Sequence, residues 1–423
     1  MSKTAKLSAA VHTLGCRVNQ YESGCVISEF INLGFEIKEF GEVCDVYVIN
    51  TCTVTSGSDK KSKQMIRRAK KTNPQAVVAA CGCFTQNNPD AEADIVIGTA
   101  EKTKIPSLAL GIINGGYLKY NSVKPVSEYG EYENIHAYRS EKTRAYVKIQ
   151  DGCDAKCSYC VIPQVRGCVK SRAYEHIYAE VKRFNDLNYH EIVLTGIEIS
   201  SYQNGLIGLL EKLNGEKNLN NIKTIRLSSV DPSLIKKDFI DRLADLDKIA
   251  NHFHLSLQNG STDILKSMRR KYNAETMITN IAYAKERIKG LNLTADIIVG
   301  FPGETDEDFE RTVDTVKLLD IYHAHVFAYS KRPGTDAADF GGQVPENIKN
   351  LRSKTITKTC EVNRENIHKN NVGEVFEVIA EDLNTAKTRN FMDVKIREQT
   401  LKGELQTIKI INYNKKYMIG EKI

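Results

Sequence analysis

The sequence predicts an α/β protein with three parts: an N-terminal parallel α/β domain, a central partial (β/α)6 barrel and a small C-terminal all-β domain. Three observations predict it. Short apolar runs alternate with helical patterns over the first 110 residues, and six more such runs follow between residues 139 and 340. After about residue 370 the helical patterns stop and short strand-like runs take over. The chain has 423 residues, enough for two or three domains at about 150 residues each.

Composition narrows the class of protein. Hydrophobic residues make up 41% and charged residues 26%, which is ordinary for a globular protein. No apolar run approaches the roughly 20 residues that span a bilayer, and the N-terminus lacks the apolar segment of a signal peptide. We therefore expect a cytoplasmic protein with no membrane partner. The formal charge of +6 permits a nucleic-acid partner without requiring one.

The N-terminal domain is predicted from four buried strands at residues 8–14, 43–49, 76–80 and 94–97, separated by helices. Asn19 and Glu22 have the spacing of a capping box for the first helix. The second helix ends at Asn73-Pro74 and is strongly basic. Its basic residues are Lys60, Lys61, Lys63, Arg67, Arg68, Lys70 and Lys71.

Residues 113–138 have poor periodicity, a Gly-Gly pair and a proline, so we expect a linker there. It contains five scattered tyrosines: Tyr117, Tyr120, Tyr129, Tyr132 and Tyr138.

Six strands are predicted in the central part, at residues 145–149, 191–194, 224–227, 252–257, 294–299 and 324–328. Six βα units are too few to close an eight-stranded barrel, so they predict an open one with its chemistry at the C-terminal strand ends. A helix is predicted over 341–367. Short strands follow at 372–379, 392–396, 405–411 and 417–419.

A cysteine motif directly follows the first of the six strands. Cys153, Cys157 and Cys160 lie in the segment QDGCDAKCSYCVIP. Three thiolates on one loop can hold three irons of a four-iron cluster and leave the fourth iron open, whereas four-cysteine sites occupy every iron. A zinc site is the alternative, with Cys168 as a possible fourth ligand.

Three further cysteines share one kind of position. Cys16, Cys52 and Cys83 each lie at or just past the C-terminal end of a predicted parallel strand. Such ends meet at one edge of a sheet, where α/β proteins bind ligands. Helix N-termini favour anions, and a thiolate-ligated cluster is anionic. The pattern indicates a second three-cysteine site with one open metal position.

These motifs resemble the methylthiotransferases of the radical S-adenosylmethionine (SAM) superfamily, over nearly the whole chain. The similar segments are HTLGCRVNQYES, DVYVINTCTVT, GCFTQ, IQDGCDAKCSYCVIPQVRG, LTGIEISSY, HLSLQNGSTDILKSMRRKY, DIIVGFPGET and the C-terminal β module, which resembles a TRAM domain. The resemblance implies domains at 1–112 (auxiliary cluster), 139–365 (radical SAM) and 366–423 (TRAM), joined by a linker at 113–138.

The resemblance also implies the cofactors and the reaction. Two [4Fe-4S] clusters, on the two cysteine triads, would act with SAM; Cys83 rather than Cys81 would be the ligand. The cluster on Cys153, Cys157 and Cys160 would cleave SAM to a radical that removes hydrogen from adenine C2. The cluster on Cys16, Cys52 and Cys83 would carry the sulfur, which a second SAM methylates. Cys25, Cys44, Cys81, Cys168 and Cys360 are left as structural thiols.

Contacts to SAM are implied at the strand ends. In the superfamily the aromatic residue between the cluster cysteines lies beside adenine, and the strand-end motifs meet the amine and the adenine. The matching residues are Tyr159, Gly196, Glu198, Gly300 and Gly303, with a plain turn as the alternative for Gly300 and Gly303. Ser228 and Gln258 also end strands and are further candidates to face the SAM pocket. Two departures are Asn259, where the family usually has serine, and Ile197, where a second glycine is common. Core packing for Tyr159 and a solvated strand-end carboxylate for Glu198 are the alternatives.

The resembled branch methylthiolates N6-threonylcarbamoyladenosine at tRNA position 37. The implied partners are the tRNA anticodon stem-loop, an electron donor such as flavodoxin or ferredoxin, and a sulfur donor. Basic clusters lie at 60–71, 166–172 and 269–271. The basic helix at 60–71 and the β module are predicted to contact the RNA backbone, and a solvated surface is the alternative for the helix. Lys331, Arg332 and Arg172 are candidates to read the threonylcarbamoyl carboxylate. The alternatives are an isopentenyladenosine substrate or a non-catalytic iron–sulfur redox sensor that binds RNA.

Overall fold

A computed structural model describes residues 6–137 and 143–423; Tyr138 and the predicted domain start at residue 139 lie outside the described residues. The β-strands are β1 (Ser8–Thr13), β2 (Glu36–Ile37), β3 (Val46–Thr51), β4 (Val77–Gly82), β5 (Ile95–Ile97), β6 (Tyr120–Ser122), β7 (Ala145–Lys148), β8 (Gln150–Asp151), β9 (Lys170–Ser171), β10 (Glu191–Thr195), β11 (Thr224–Leu227), β12 (Ser229–Val230), β13 (His252–Gln258), β14 (Asn292–Val299), β15 (His323–Ala328), β16 (Val375–Ala380), β17 (Thr385–Thr388), β18 (Asp393–Ile396), β19 (Leu405–Tyr413) and β20 (Met418–Lys422).

The α-helices are α1 (Arg17–Asn32), α2 (Ser56–Thr72), α3 (Cys83–Asn87), α4 (Ile105–Ile113), α5 (Ile162–Arg166), α6 (Tyr174–Asp186), α7 (Leu206–Gly215), α8 (Lys237–Ala244), α9 (Thr262–Ser267), α10 (Ala274–Arg287), α11 (Asp306–Leu318) and α12 (Glu346–Asn370). None of the helices in the described residues is long and apolar enough to cross a membrane.

The chain divides into two compact units. The first comprises the residues up to 140, as far as they are described, with 150–155 and 160–172. The second comprises 141–149, again as described, with 156–159 and 173–423. The loop that carries Cys153, Cys157 and Cys160 is thus shared by the two units along the chain.

The first unit is built on a six-stranded parallel sheet in the order β2-β1-β3-β4-β5-β6. Its central strands are buried on both faces, as expected for continuous apolar runs in a parallel sheet. The predicted linker contributes β6, which pairs with β5. Tyr129 from the same segment donates a hydrogen bond to Gln86 Oε1.

The capping box predicted for α1 is wrong. The N-cap residue is Cys16, and no side chain caps the helix. Asn19 instead donates from Nδ2 to the backbone oxygens of Leu14 and Thr51, at 2.8 and 2.9 Å. Its side chain therefore ties the helix to the ends of β1 and β3, where two of the cysteines lie.

The second unit begins with the predicted six-stranded partial barrel. Its strands form two parallel sheets, β7-β10-β11 and β12-β13-β14-β15, linked by a bridge between Ile225 and Ile249. Alternate strand residues pack outwards into one large apolar core with the helices. The six predicted strands are thus present, and the opposite faces of the strands carry more polar side chains.

A closed five-stranded barrel, β16-β17-β18-β20-β19, completes the second unit. Its turn between β17 and β18 contacts the N-terminal ends of the larger barrel's strands. Arg226 Nη2 donates to the backbone oxygen of Arg389 at 2.9 Å, and Asn292 Nδ2 donates to that of Asn390 at 2.9 Å. The Phe391 ring lies 4.8 Å from the Arg226 guanidinium. The small barrel therefore packs against the end opposite to the predicted chemistry.

Candidate active site

The structure brings Cys16, Cys52 and Cys83 to one edge of the first sheet. They follow β1, β3 and β4, which are neighbours in the sheet, so their C-terminal ends adjoin. Cys52 and Cys83 are buried, and Cys16 is exposed. Burial raises the pKa of the Cys52 thiol to about 11, and the nearby Cys83 and Cys16 push it the same way. Burial disfavours the thiolate charge, and a bound metal would compensate that charge.

Two glycines allow the strand ends that carry these thiols to lie close together. Gly15 has φ of +94°, and a Cβ atom there would lie 2.9 Å from Cys52 Sγ. Gly82, immediately before Cys83, has φ of +107°, and its added Cβ would lie 2.6 Å from the backbone oxygen of Thr51. Both glycines are therefore required by the approach of the strand ends that carry the cysteines.

A buried arginine contacts the same site. Arg166 is 1% exposed, and its Nε donates to Cys83 Sγ at 3.3 Å. Its Nη1 donates to Glu22 Oε1 at 2.6 Å and its Nη2 to Asn19 Oδ1 at 2.7 Å. Lys102 Nζ pairs with the other oxygen of Glu22. The arrangement sets a positive charge beside a thiol, which suits a thiolate or an anionic cluster.

The basic cluster at residues 166–172 is not an exposed patch at its two arginines, because Arg166 is buried. Arg172 is also buried; its Nε donates to Asn134 Oδ1 at 3.1 Å and its Nη1 to the Tyr21 hydroxyl at 3.4 Å. Arg332, another candidate to read the carboxylate, is 6% exposed. A run of basic residues in the sequence does not show which of them are buried, because the hydrogen-bond partners of a buried arginine lie far away along the chain.

The cysteines of the 153–160 loop accept hydrogen bonds within their own units. In the first unit, Cys153 Sγ accepts from the Ala155 amide at 3.4 Å and Cys160 Sγ from the Ile162 amide at 3.5 Å. In the second unit, Cys157 Sγ accepts from Arg270 Nη1 at 3.3 Å. Donors aimed at sulfur stabilise its negative charge, so the donor set suits thiolate ligation.

Sequence reasoning missed the role of Arg270, which it assigned to a basic surface cluster. The side chain is 7% exposed, and its Nη2 pairs with Asp231. It is held there by a carboxylate and points a second donor at Cys157. The only sequence signal was its place in the segment SMRRKY, which resembles the family.

Four predicted cofactor residues lie at or just past the C-terminal ends of strands of the partial barrel. Gly196 and Glu198 follow β10, Ser228 follows β11, and Gln258 ends β13 with φ of +60°. The buried Ser228 Oγ has no hydrogen-bond partner within the described residues. Burial, and then the nearby Asp231, raise the pKa of Glu198. A buried hydroxyl left unsatisfied at a strand end is consistent with a ligand site.

The other three predicted cofactor residues, Tyr159, Gly300 and Gly303, make contacts within the second unit. The Tyr159 ring packs edge-on against Phe301, with centroids 6.4 Å apart. A Cβ on Gly300 would lie 2.3 Å from Lys349 Cγ, so this glycine allows close packing of α12. The Gly303 amide donates to the Gly342 oxygen at 2.9 Å.

Asn259, the departure from the family pattern, is fully buried and hydrogen-bonded. Its Nδ2 donates to Glu304 Oε1 at 2.8 Å, and its Oδ1 accepts from the Ser261 amide at 2.9 Å. A serine there is too short to make both contacts. Asn259 therefore joins the start of α9 to the loop after β14.

Comparisons with known proteins agree with this architecture. The radical SAM superfamily model matches residues 147–316, and the uncharacterized protein family UPF0004 matches residues 8–98. The threonylcarbamoyladenosine tRNA methylthiotransferase MtaB of Bacillus subtilis is 37% identical, with 98% of this chain and 96% of the relative covered. The chain belongs to the radical SAM tRNA methylthiotransferase family. The family resemblance stated from the sequence is confirmed.

Other relatives span two kinds of methylthiotransferase. MtaB of Aquifex aeolicus is 35% identical over 92% of this chain and 96% of the relative. The tRNA-2-methylthio-N(6)-dimethylallyladenosine synthase of Clostridium tetani is 32% identical over 97% of this chain and 91% of the relative. Among solved structures, the radical SAM methyltransferase TsrM of Kitasatospora setae has a TM-score of 0.57 at 15% identity, covering 79% of this chain and 77% of that one. Membership of the radical SAM superfamily implies SAM and a [4Fe-4S] cluster as cofactors.

Proposed function

We propose that this methylthiotransferase converts N6-threonylcarbamoyladenosine in the anticodon loop of tRNA to its 2-methylthio derivative. The match to MtaB relatives along nearly the whole length of both chains carries the proposal. The isopentenyladenosine (dimethylallyladenosine) alternative is less favoured, because two synthases named for it are 32% and 30% identical, against 37% for MtaB of Bacillus subtilis.

The chain's residues fit two clusters. Cys153, Cys157 and Cys160 would hold one, and Cys16, Cys52 and Cys83 the other; each triad leaves one iron open for a non-protein ligand. When bound, the clusters and SAM supply the electron transfer and the sulfur that acid–base side chains cannot supply. The protein's part is to hold the thiolates and to offset their charge with Arg166 and Arg270.

RNA binding is proposed for two surfaces. On α2 most of the basic side chains are exposed, and Arg67 and Lys70 pair with Glu92 and Asp94. Such a surface supplies the salt-dependent part of RNA affinity. The five-stranded barrel is proposed as the second RNA contact by its similarity to TRAM. An electron donor and a sulfur donor would act with the enzyme in the cytoplasm.

The substrate is tested by mass spectrometry of nucleosides. The reconstituted protein receives SAM, a reductant, sulfide and anticodon stem-loops that carry either threonylcarbamoyladenosine or isopentenyladenosine. We expect a methylthio group to replace hydrogen on the first nucleoside only. Modification of the isopentenyl substrate alone would contradict the proposal. If SAM is cleaved but neither RNA is modified, the substrate assignment is also wrong.

A further inference from the structure

Two histidines and an aspartate meet on one face of the partial barrel in the second unit. His254 lies on β13, Asp296 on β14 and His325 on β15. The strands are adjacent and parallel, and Asp296 is in register with His325. The intervening residues Leu255 and Ala295 belong to the outer apolar core, so the triad faces the inner side of the barrel.

The donor atoms of this triad are close. His254 Nε2 lies 3.2 Å from Asp296 Oδ1, and all three donor atoms lie within 4.8 Å of one another. Donors around a zinc ion at about 2.0–2.1 Å lie about 3.4 Å apart, so the His254–Asp296 pair already has the spacing. His325 is exposed on the neighbouring strand, with its donor atom within 4.8 Å of the other two.

The His254 ring is held in the orientation that a ligand needs. Its Nδ1 hydrogen-bonds to Thr294 Oγ1 at 2.7 Å, which leaves Nε2 facing Asp296. His252 Nε2 lies 2.9 Å from the same hydroxyl. Hydrogen bonds at the far nitrogen of a histidine fix its tautomer and orientation in known metal sites.

We propose that His254, Asp296 and His325 form a binding site for a divalent transition-metal ion, built from none of the residues of the two cysteine triads. Two imidazoles and one carboxylate suit borderline ions such as Zn²⁺, Fe²⁺ or Co²⁺. Three protein ligands leave at least one position for water or for an oxygen anion of a bound molecule. This inference goes beyond the proposed function and does not depend on it.

The test uses Zn²⁺ on the full chain after anaerobic reconstitution with iron and sulfide, so that the cluster cysteines are occupied. Bound zinc, iron and sulfide are measured after equilibrium dialysis. We expect one zinc per chain in the wild type. The variants His325→Ala and Asp296→Asn should bind zinc at least about 100-fold more weakly, with iron and sulfide unchanged. His176→Ala, at an exposed histidine on α6, is the matched control and should bind zinc normally.

Zinc X-ray absorption then identifies the ligands. We expect nitrogen and oxygen neighbours at about 2.0–2.2 Å. Sulfur neighbours at about 2.3 Å would place the zinc on cysteines and overturn the proposal. It is also overturned if the wild type binds no zinc, or if His325→Ala and Asp296→Asn bind it as tightly as His176→Ala does.

Discussion

Replacing Arg166 by glutamine removes the central charge of the network beside Cys83. The guanidinium contacts Glu22, Asn19, Asp151 and Cys83, and it is 1% exposed. Breaking a buried ion pair by removing one partner costs about 3–5 kcal/mol. Lys102 still pairs with Glu22, so we expect the lower end, about 3 kcal/mol.

This loss corresponds to a fall of about 6–12 °C in the thermal midpoint, at about 2–4 °C per kcal/mol for a unit of this size. Circular dichroism of the cluster-free protein measures it. Arg67→Gln is the control, because Arg67 pairs with Glu92 at 3.2 Å but both side chains are nearly 70% exposed. Its cost should stay within about 1 kcal/mol.

A double variant tests whether the broken ion pair between Arg166 and Glu22 causes the loss of stability. Glu22→Gln combined with Arg166→Gln removes both partners of one buried ion pair, so the double variant should recover about 2 kcal/mol relative to the sum of the singles. The reasoning is refuted if Arg166→Gln lowers the midpoint no more than Arg67→Gln does, or if the two singles simply add.

Three other predictions concern the turn on the small barrel, the sheet edge and the cysteines. Phe391→Ala should cost about 2–3 kcal/mol, because the ring lies 4.4 Å from Lys387 Nζ and 4.8 Å from the Arg226 guanidinium. The exposed Leu401→Ala should cost under about 0.5 kcal/mol in the same thermal assay, and equal effects would contradict the packing role. Gly82→Ala should cost about 2–4 kcal/mol from its φ and the contact with Thr51, whereas Gly57→Ala on α2 meets only Thr55 Oγ1 at 3.7 Å and should be neutral or stabilising. Cys83→Ala should lower bound iron from about eight to about four per chain while Cys81→Ala keeps about eight, and the reverse pattern in an iron assay would exchange their roles.

The strands of both units were predictable because parallel strands buried on both faces are continuous apolar runs. The six barrel strands lie within two residues of their predicted starts. The strand Thr385–Thr388 was missed because half of its side chains are partly exposed and its sequence, TAKT, has no apolar run. Glu36–Ile37 and Tyr120–Ser122 are too short for any periodicity.

The cysteines of the site were found from their places at strand ends, but their charged neighbours were not. Arg166 and its partner Glu22 are 144 residues apart in the chain, so nothing local distinguishes Arg166 from a surface residue. The same is true of Arg270, which is 113 residues from Cys157. Burial of a charge depends on tertiary contacts, and the sequence showed only that basic residues were clustered.

The division of work between the two cysteine triads is tested most directly by Cys52→Ala. Cys52 is buried in the first unit, and alanine is the smallest change that removes its sulfur. Methylthiolation of the threonylcarbamoyladenosine stem-loop and reductive cleavage of SAM are measured on the same reconstituted sample. We predict that methylthiolation is abolished and that SAM cleavage persists. Loss of both activities in a variant that keeps its wild-type thermal midpoint would contradict the two-cluster account.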